Sequence, residues 1–284
     1  MSTDISTSFP IRSSKVPFNV FVYLWQAFQH YSLIAQVGAY LLRNTYQRTV
    51  LGPIWLLVQS LLPVIGMLAV FRHVASFQTN MSYPLFLISG MGLWTIIDHG
   101  LKRGLRNLNY SKRIRKVIHV PRIAMTIAGL SIPLFFHMIF VLTLVGSAVF
   151  IWLTGGGFAI VISLNLIYAF VAVLLTIMLV VGISAVTSVV FMMARDIRHI
   201  LGALIQSWFF ITPIVYPIEM LPASLRTFCQ YGNPMTSIVQ MYRYGLFGGN
   251  EPPAFVMSAV VTICIFFFGV WFMMRSDWIL DEIL

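Results

Sequence analysis

The side chains that most often do chemistry are sparse in this sequence, and none falls into a catalytic pattern. The six histidines, His30, His73, His99, His119, His137 and His199, are scattered, and no two have metal-ligand spacing. There is no HExxH, no CxxC and no nucleophile elbow. The chain contains no Gly-Lys pair, so it lacks the glycine-rich cradle with a lysine that binds nucleotide phosphates. Cys229 and Cys264 are the two cysteines; Cys264 falls in an apolar run, so no disulfide framework is expected. These absences predict no catalytic residue, no cofactor-binding residue and no metal ligand, and hence no enzyme within this chain.

A transporter driven by protons or ions usually buries ionisable residues near the middle of the membrane. Here Asp98 is the one acidic residue inside an expected span, close to its cytoplasmic end. Lys102 lies four residues later on the same helix face, so a local ion pair is the simpler expectation than a proton relay. The work must then come from another chain.

The elements around these residues follow from composition. Of 284 residues, 59% are hydrophobic and 9% charged, with a mean hydropathy of +0.88. A soluble chain is usually about 25% charged. A lipid bilayer is the solvent that fits, and a spanning helix needs roughly 20 apolar residues. Six spans are expected, over 53–71, 83–101, 123–152, 158–193, 200–218 and 254–274. The second is the weakest by hydropathy, diluted by Asp98, His99 and its glycines. No cleavable signal is read in the polar first 20 residues, so insertion falls to the spans themselves.

The net charge of +10 would ordinarily raise nucleic acid or anionic lipid as a partner. Its distribution argues for topology instead, and no nucleic acid is expected. With both termini cytoplasmic, fifteen basic residues fall inside; Arg72, Arg226 and Arg243 remain outside. That bias fits six spans better than five or seven. The segment 20–50 precedes the first span. Leu33, Ile34, Val37 and Leu41 alternate with Ser32, Gln36, Arg43 and Gln47, a pattern for an amphipathic helix in the membrane interface. The layout is thus an all-α integral membrane protein, with a cytoplasmic and interfacial part over 1–50 and a six-span domain over 51–284. Before the last span, Pro213, Pro217, Pro222 and Pro234 break the chain, and Leu225–Tyr231 and Thr236–Phe247 are expected as short re-entrant helices.

The loop 102–122 carries eight basic residues and no acidic one. It could be a topology signal, a site for anionic lipid or a docking element. Ile114, Val117, Ile118 and Val120 are apolar beside Lys112, Arg113, Arg115 and Lys116, which suits a short amphipathic helix making a protein contact. Aromatic residues gather near the proline-rich break. Trp55, Trp208, Phe209, Tyr216 and Tyr244 are candidates for lining a translocation path, against the simpler reading of an interfacial aromatic belt. A flat ring offers a sugar an apolar face without trapping it.

Four segments, in order, resemble the membrane subunits of type 2 ABC exporters, especially the capsular-polysaccharide and O-antigen export permeases. They are Arg48-Thr49-Val50-Leu51-Gly52-Pro53-Ile54-Trp55; Ile114-Arg115-Lys116-Val117-Ile118-His119-Val120-Pro121-Arg122; Ala194-Arg195-Asp196-Ile197; and Thr212-Pro213-Ile214-Val215-Tyr216-Pro217 with Leu221-Pro222, Asn233-Pro234-Met235 and Arg243. The short loop 153–157 departs from exporters with a large outer domain. The resemblance implies a homodimer in the bacterial inner membrane, paired with separate ATPase subunits that bind Mg-ATP. It implies a lipid-linked polysaccharide, capsule or O-antigen, as cargo, moving between the two copies among membrane lipids. It also implies that Arg113, Ile114, Arg115, Lys116, Val117, Ile118 and His119 form the ATPase-coupling loop. The alternatives are a related exporter of teichoic acid, lipid or drug, a secondary transporter, and a non-transporting membrane scaffold.

Overall fold

A computed structural model describes residues 19–46, 54–74, 82–106, 108, 120–155, 160, 163–249 and 253–283. Among them every regular element is helical. In chain order these are α1 (Val20–Gln29), α2 (Tyr31–Tyr46), α3 (Ile54–Val74), α4 (Tyr83–Gly104), α5 (Arg122–Gly129), α6 (Ser131–Leu153), α7 (Leu166–Met193), α8 (Ile197–Ile211), a 3-10 turn (Ile218–Met220), α9 (Ala223–Gly232), α10 (Pro234–Phe247) and α11 (Val256–Ile283).

Among the described residues, three stretches are long and apolar enough to cross a membrane: Arg122–Leu153, Leu166–Met193 and Val256–Asp277. The first is α5 and α6 in series. They part at Leu130 because Pro133 has no N–H to donate to the carbonyl of Gly129 and its ring crowds that carbonyl. Two shorter apolar helices cover Ile54–Val70 and Ile197–Ile211. Leu142, Phe150, Phe170, Leu62, Val256 and Phe268 are all exposed. Faces this apolar need a cover of lipid rather than water, and the chain is a multi-pass membrane protein.

The expected span with the weakest hydropathy, α4, is the most deeply buried. Every residue of α4 from Leu85 to Ile97 is buried, and α6, α7 and α10 surround it. A helix enclosed by protein need not satisfy lipid, so glycines and polar residues cost it little. The glycines have a task. A Cβ on Gly92 would come within 2.8 Å of Phe140, and one on Gly90 within 2.6 Å of Arg243. Gly104 sits against Ser184 and Gly100 against Val180 of α7. Small residues let helices approach closely where apolar burial alone gives little drive. The same device joins α7 to α11, where Gly182 and Gly269 meet backbone to backbone.

Several boundaries differ from expectation. The fifth helix, expected over 200–218, runs Ile197–Ile211. Pro213 and Pro217 supply no N–H, and the residue before a proline leaves the helical region. The fourth, expected from 158, begins at Leu166 after a turn through Ser163–Asn165; residues 158, 159, 161 and 162 lie outside the described residues. The last helix passes 274 and continues to Ile283. The single amphipathic helix expected in 20–50 is two, divided at His30, whose N–H bonds the Ala27 carbonyl at 3.1 Å. Its apolar stripe faces protein: Leu41 is buried with Ile132 and Phe136 of α6, and Leu33, Ile34 and Val37 pack on the main core. The expected pair of short helices before the last span is present as α9 and α10.

Candidate functional site

The segment Thr212–Pro217 leaves helical geometry while its first four residues, 212–215, stay buried. Carbonyls freed by the two prolines need donors, because a buried unpaired carbonyl costs about 1–3 kcal/mol. One side chain from α10 supplies most of them. Arg243 Nη1 donates to the Pro213 carbonyl at 3.0 Å, and Nη2 donates to the Ile214 carbonyl at 2.8 Å and the Phe86 carbonyl at 3.1 Å. Its guanidinium carbon lies 3.5 Å from the centre of the Phe86 ring, a cation–π contact that partly replaces lost hydration. Tyr83 donates its hydroxyl to the Val215 carbonyl at 3.0 Å. Carbonyl oxygens and an aromatic face thus surround this buried cation.

Asn233 closes the other side. Its amide nitrogen donates to Thr212 Oγ1 at 2.9 Å. Its Oδ1 accepts from Trp208 Nε1 at 2.8 Å and from the Met235 N–H at 3.1 Å. The last bond is an N-cap, and Pro234 at the first helical position suits it. At the far end of α10, Gly248 takes φ 74°, a stop that residues with a Cβ rarely adopt. The broken helix α8, the hairpin α9–α10 and the start of α4 are therefore tied into one hub. Among the described residues no cluster of three or more His, Cys, Asp or Glu is placed to hold a metal ion.

The predicted aromatics fall into separate settings. Trp208 and Phe209 set their edges against Trp94, with ring centres 5.7 and 5.5 Å apart. Tyr216 is held by its hydroxyl, which donates to the Phe210 carbonyl at 2.8 Å. Tyr244 packs edge-on against Tyr168 at 5.2 Å. Trp55 stands at the start of α3, partly exposed. Trp208 is thus a strut of the hub, whereas its neighbour Phe210 is 71% exposed. Arg243, which the sequence reading placed on the outside, is buried in the hub. Cys229 is buried as well, with its Sγ 3.5 Å from the Ile211 carbonyl, and burial pushes its thiol pKa up. The expected pair of Asp98 with Lys102 is formed, at 2.5 Å.

The expected coupling residues Arg113, Ile114, Arg115, Lys116, Val117, Ile118 and His119 lie outside the described residues. The chain that follows them is firmly anchored. Arg122 is 1% exposed. Its Nη1 donates to Asp277 Oδ1 at 2.6 Å and to the Asp277 carbonyl at 2.8 Å. The Tyr23 hydroxyl donates to Asp277 Oδ2 at 3.2 Å. One carboxylate on α11 thereby joins α1 and the first residue of α5. The sequence reading counted Arg122 among loop cations and ended the last span at 274, so it missed this anchor. The available signal was an acidic residue on the continuation of an apolar helix, which demands a cationic partner.

No family model matches the chain. Curated relatives do. It is 24% identical over 211 residues to the O-antigen export system permease protein RfbA of Klebsiella pneumoniae, covering 71% of this chain and 75% of that protein. It is 19% identical over 243 residues to the protein of the same name in Myxococcus xanthus, covering 84% and 90%. A further Klebsiella pneumoniae RfbA is 23% identical over 211 residues. The chain is thus similar, over most of its length, to three O-antigen export system permease proteins.

Proposed function

We propose that this chain is the transmembrane subunit of an ABC exporter that moves a lipid-linked polysaccharide across the bacterial inner membrane. Its likeness to O-antigen export permeases over most of its length carries the reading. Two copies form the path, and separate ATPase subunits bind Mg-ATP and do the work. The missing Gly-Lys pair supports the need for such a partner. Six spans with both termini cytoplasmic follow from the basic residues, fifteen of eighteen on one side. In that arrangement α1 and α2 lie along the cytoplasmic interface, α4 is the second span, and the α9–α10 hairpin turns back from the outer surface. The Arg243 hub lets irregular backbone sit at that depth, since such backbone survives only where protein or water covers it.

Coupling is tested by placing charges on the apolar face of the segment from Arg113 to His119. The double variant Val117→Asp/Ile118→Asp should insert normally, yet co-purify with little ATPase and leave little polysaccharide at the cell surface. Wild-type assembly and export would reduce the segment to a topology signal. The same surface assay, per unit of inserted protein, bears on the aromatics Trp55, Trp208, Phe209, Tyr216 and Tyr244. Leucine at Phe209, Tyr216 or Tyr244, or at exposed Phe210, should lower export at constant protein level if rings line the path. Unchanged export in all four would leave them as an interfacial belt. Trp208 is a poor choice, because leucine there also removes the bond to Asn233.

The topology has its own test. In a background carrying Cys229→Ser and Cys264→Ala, Ser224→Cys on exposed α9 should label from outside with an impermeant thiol reagent. Arg113→Cys should label from the cytoplasmic side alone. Labelling of position 113 from outside would overturn the six-span arrangement.

A further inference from the structure

At 10 residues, or about 15 Å, α1 is too short to cross a bilayer whose hydrocarbon is roughly 30 Å thick. No Lys, Arg, Asp or Glu stands between Asn19 and Leu42. The side chains of α1 fall into three sectors round its axis. Tyr23 and Ala27 are buried against protein. Phe21, Trp25 and Phe28, spaced i, i+4 and i+7, are 66%, 66% and 63% exposed. Gln26 and Gln29 are exposed in the third sector. In water, three bare aromatic rings on one face would be a liability. In hydrocarbon, two unpaired glutamines would be costly. A helix lying flat at a membrane surface, with protein along one side, has a place for all three sectors.

Contacts with α11 give α1 its direction. The Phe21 ring centre lies 5.4 Å from that of Phe267, whereas the Tyr23 hydroxyl bonds Asp277. Positions 267 and 277 are about 15 Å apart along α11. Phe21 and Tyr23 are only about 3 Å apart along α1, and their side chains leave it in nearly opposite directions. A helix running alongside α11 could not meet both partners; one crossing it steeply does. Phe21 points into the apolar stretch of α11, where Phe268 and Trp271 are exposed. Tyr23 points to the end that carries Asp277.

We propose that α1 lies in the plane of the membrane and buries Phe21, Trp25 and Phe28 among the acyl chains of phospholipid, with Gln26 and Gln29 turned to headgroups and water. The aromatic sector continues the exposed apolar surface of α11, which favours acyl chains over a folded partner as its cover. The stripe read from the sequence, Leu33, Ile34, Val37 and Leu41 on α2, is not the one that meets lipid, because it packs on protein. The proposal deepens the placement of α1 under the proposed function. It rests on the chain being a membrane protein and needs neither the ATPase nor the cargo.

The test uses the full-length chain in vesicles of phosphatidylcholine and phosphatidylglycerol. Trp25→Cys, Gln26→Cys, Phe28→Cys and Gln29→Cys are made singly in the Cys229→Ser/Cys264→Ala background and spin-labelled. The readout is collision with oxygen, which concentrates in hydrocarbon, against collision with a water-soluble nickel chelate. The oxygen-to-nickel ratio should be about threefold or more higher at 25 and 28 than at 26 and 29, because an interfacial helix immerses its apolar face by about 5–10 Å. Water-like ratios at all four positions would overturn the proposal. So would lipid-like ratios at all four, which would put α1 inside a spanning segment. Shielding of 25 and 28 from both reagents would mean a protein cover and overturn the assignment to acyl chains. Leu142→Cys on exposed α6 is the control. It should read as lipid whatever α1 does, and a water-like ratio there would overturn the membrane reading itself. If a cysteine variant misfolds, the unsubstituted chain decides. Phospholipid with a diazirine in its acyl chain should, on irradiation, label α1 at Phe21, Trp25 or Phe28. Labelling of α6 with none on α1 would overturn the proposal.

Discussion

Replacing Asp277 with alanine should destabilise the protein by about 3–5 kcal/mol, because it takes the carboxylate away from the buried Arg122 guanidinium. Arg122 is 1% exposed and Asp277 7%, so water cannot take the carboxylate's place without opening the packing. The effect should appear as a large drop in the thermal unfolding midpoint of the detergent-purified chain. Arg122→Met/Asp277→Leu removes both charges and fills similar volume. It should be clearly more stable than Asp277→Ala alone, since removing an ion pair together costs far less than orphaning one member. Tyr23→Phe removes a single hydrogen bond to the same carboxylate and should cost about 1 kcal/mol. An Asp277→Ala protein that melts with wild type would mean that the anchor contributes nothing.

The second large effect is expected where α7 crosses α11. A Cβ at position 182 would lie 2.7 Å from the Ile265 carbonyl oxygen and 2.8 Å from the Phe266 Cα, and one at 269 would meet the backbone of Gly182. These neighbours are main chain and cannot rotate away as the tip of a side chain would. Overpacking a core usually costs about 1–3 kcal/mol, and a clash of backbones belongs at or above the top of that range. Gly269→Val should therefore yield little folded, monodisperse protein. Gly146→Val and Gly66→Val add the same group where nothing lies within 4 Å, and both should behave like wild type. Equal yields from all three would show that the crossing tolerates separation.

These two sites also mark the limit of what the sequence reveals. Long apolar runs announced α6, α7 and α11, because a helix facing lipid must be apolar along its length. Hydropathy understated α4 for the opposite reason: enclosed by other helices, it reports packing through Gly90, Gly92, Gly100 and Gly104. Prolines marked the break after Thr212, and Asn233-Pro234 marked the start of α10. What filled the break was not legible, because Arg243 looks like any outer-surface cation until its distance to the Pro213 carbonyl is known. The Arg122–Asp277 pair spans 155 residues, and no local pattern links its members.

The Arg243 hub has a consequence for the order in which the protein is made. The Pro213 carbonyl leaves the ribosome 30 residues before the arginine that satisfies it. Until α10 arrives, the Pro213 and Ile214 carbonyls lack their Arg243 donor, and this stretch belongs near water rather than in hydrocarbon. The hairpin α9–α10 must then reach its depth together with the end of α8, as one delivery. A ribosome paused between Pro217 and Arg243 would hold a chain whose earlier helices are seated while this corner still waits at the surface.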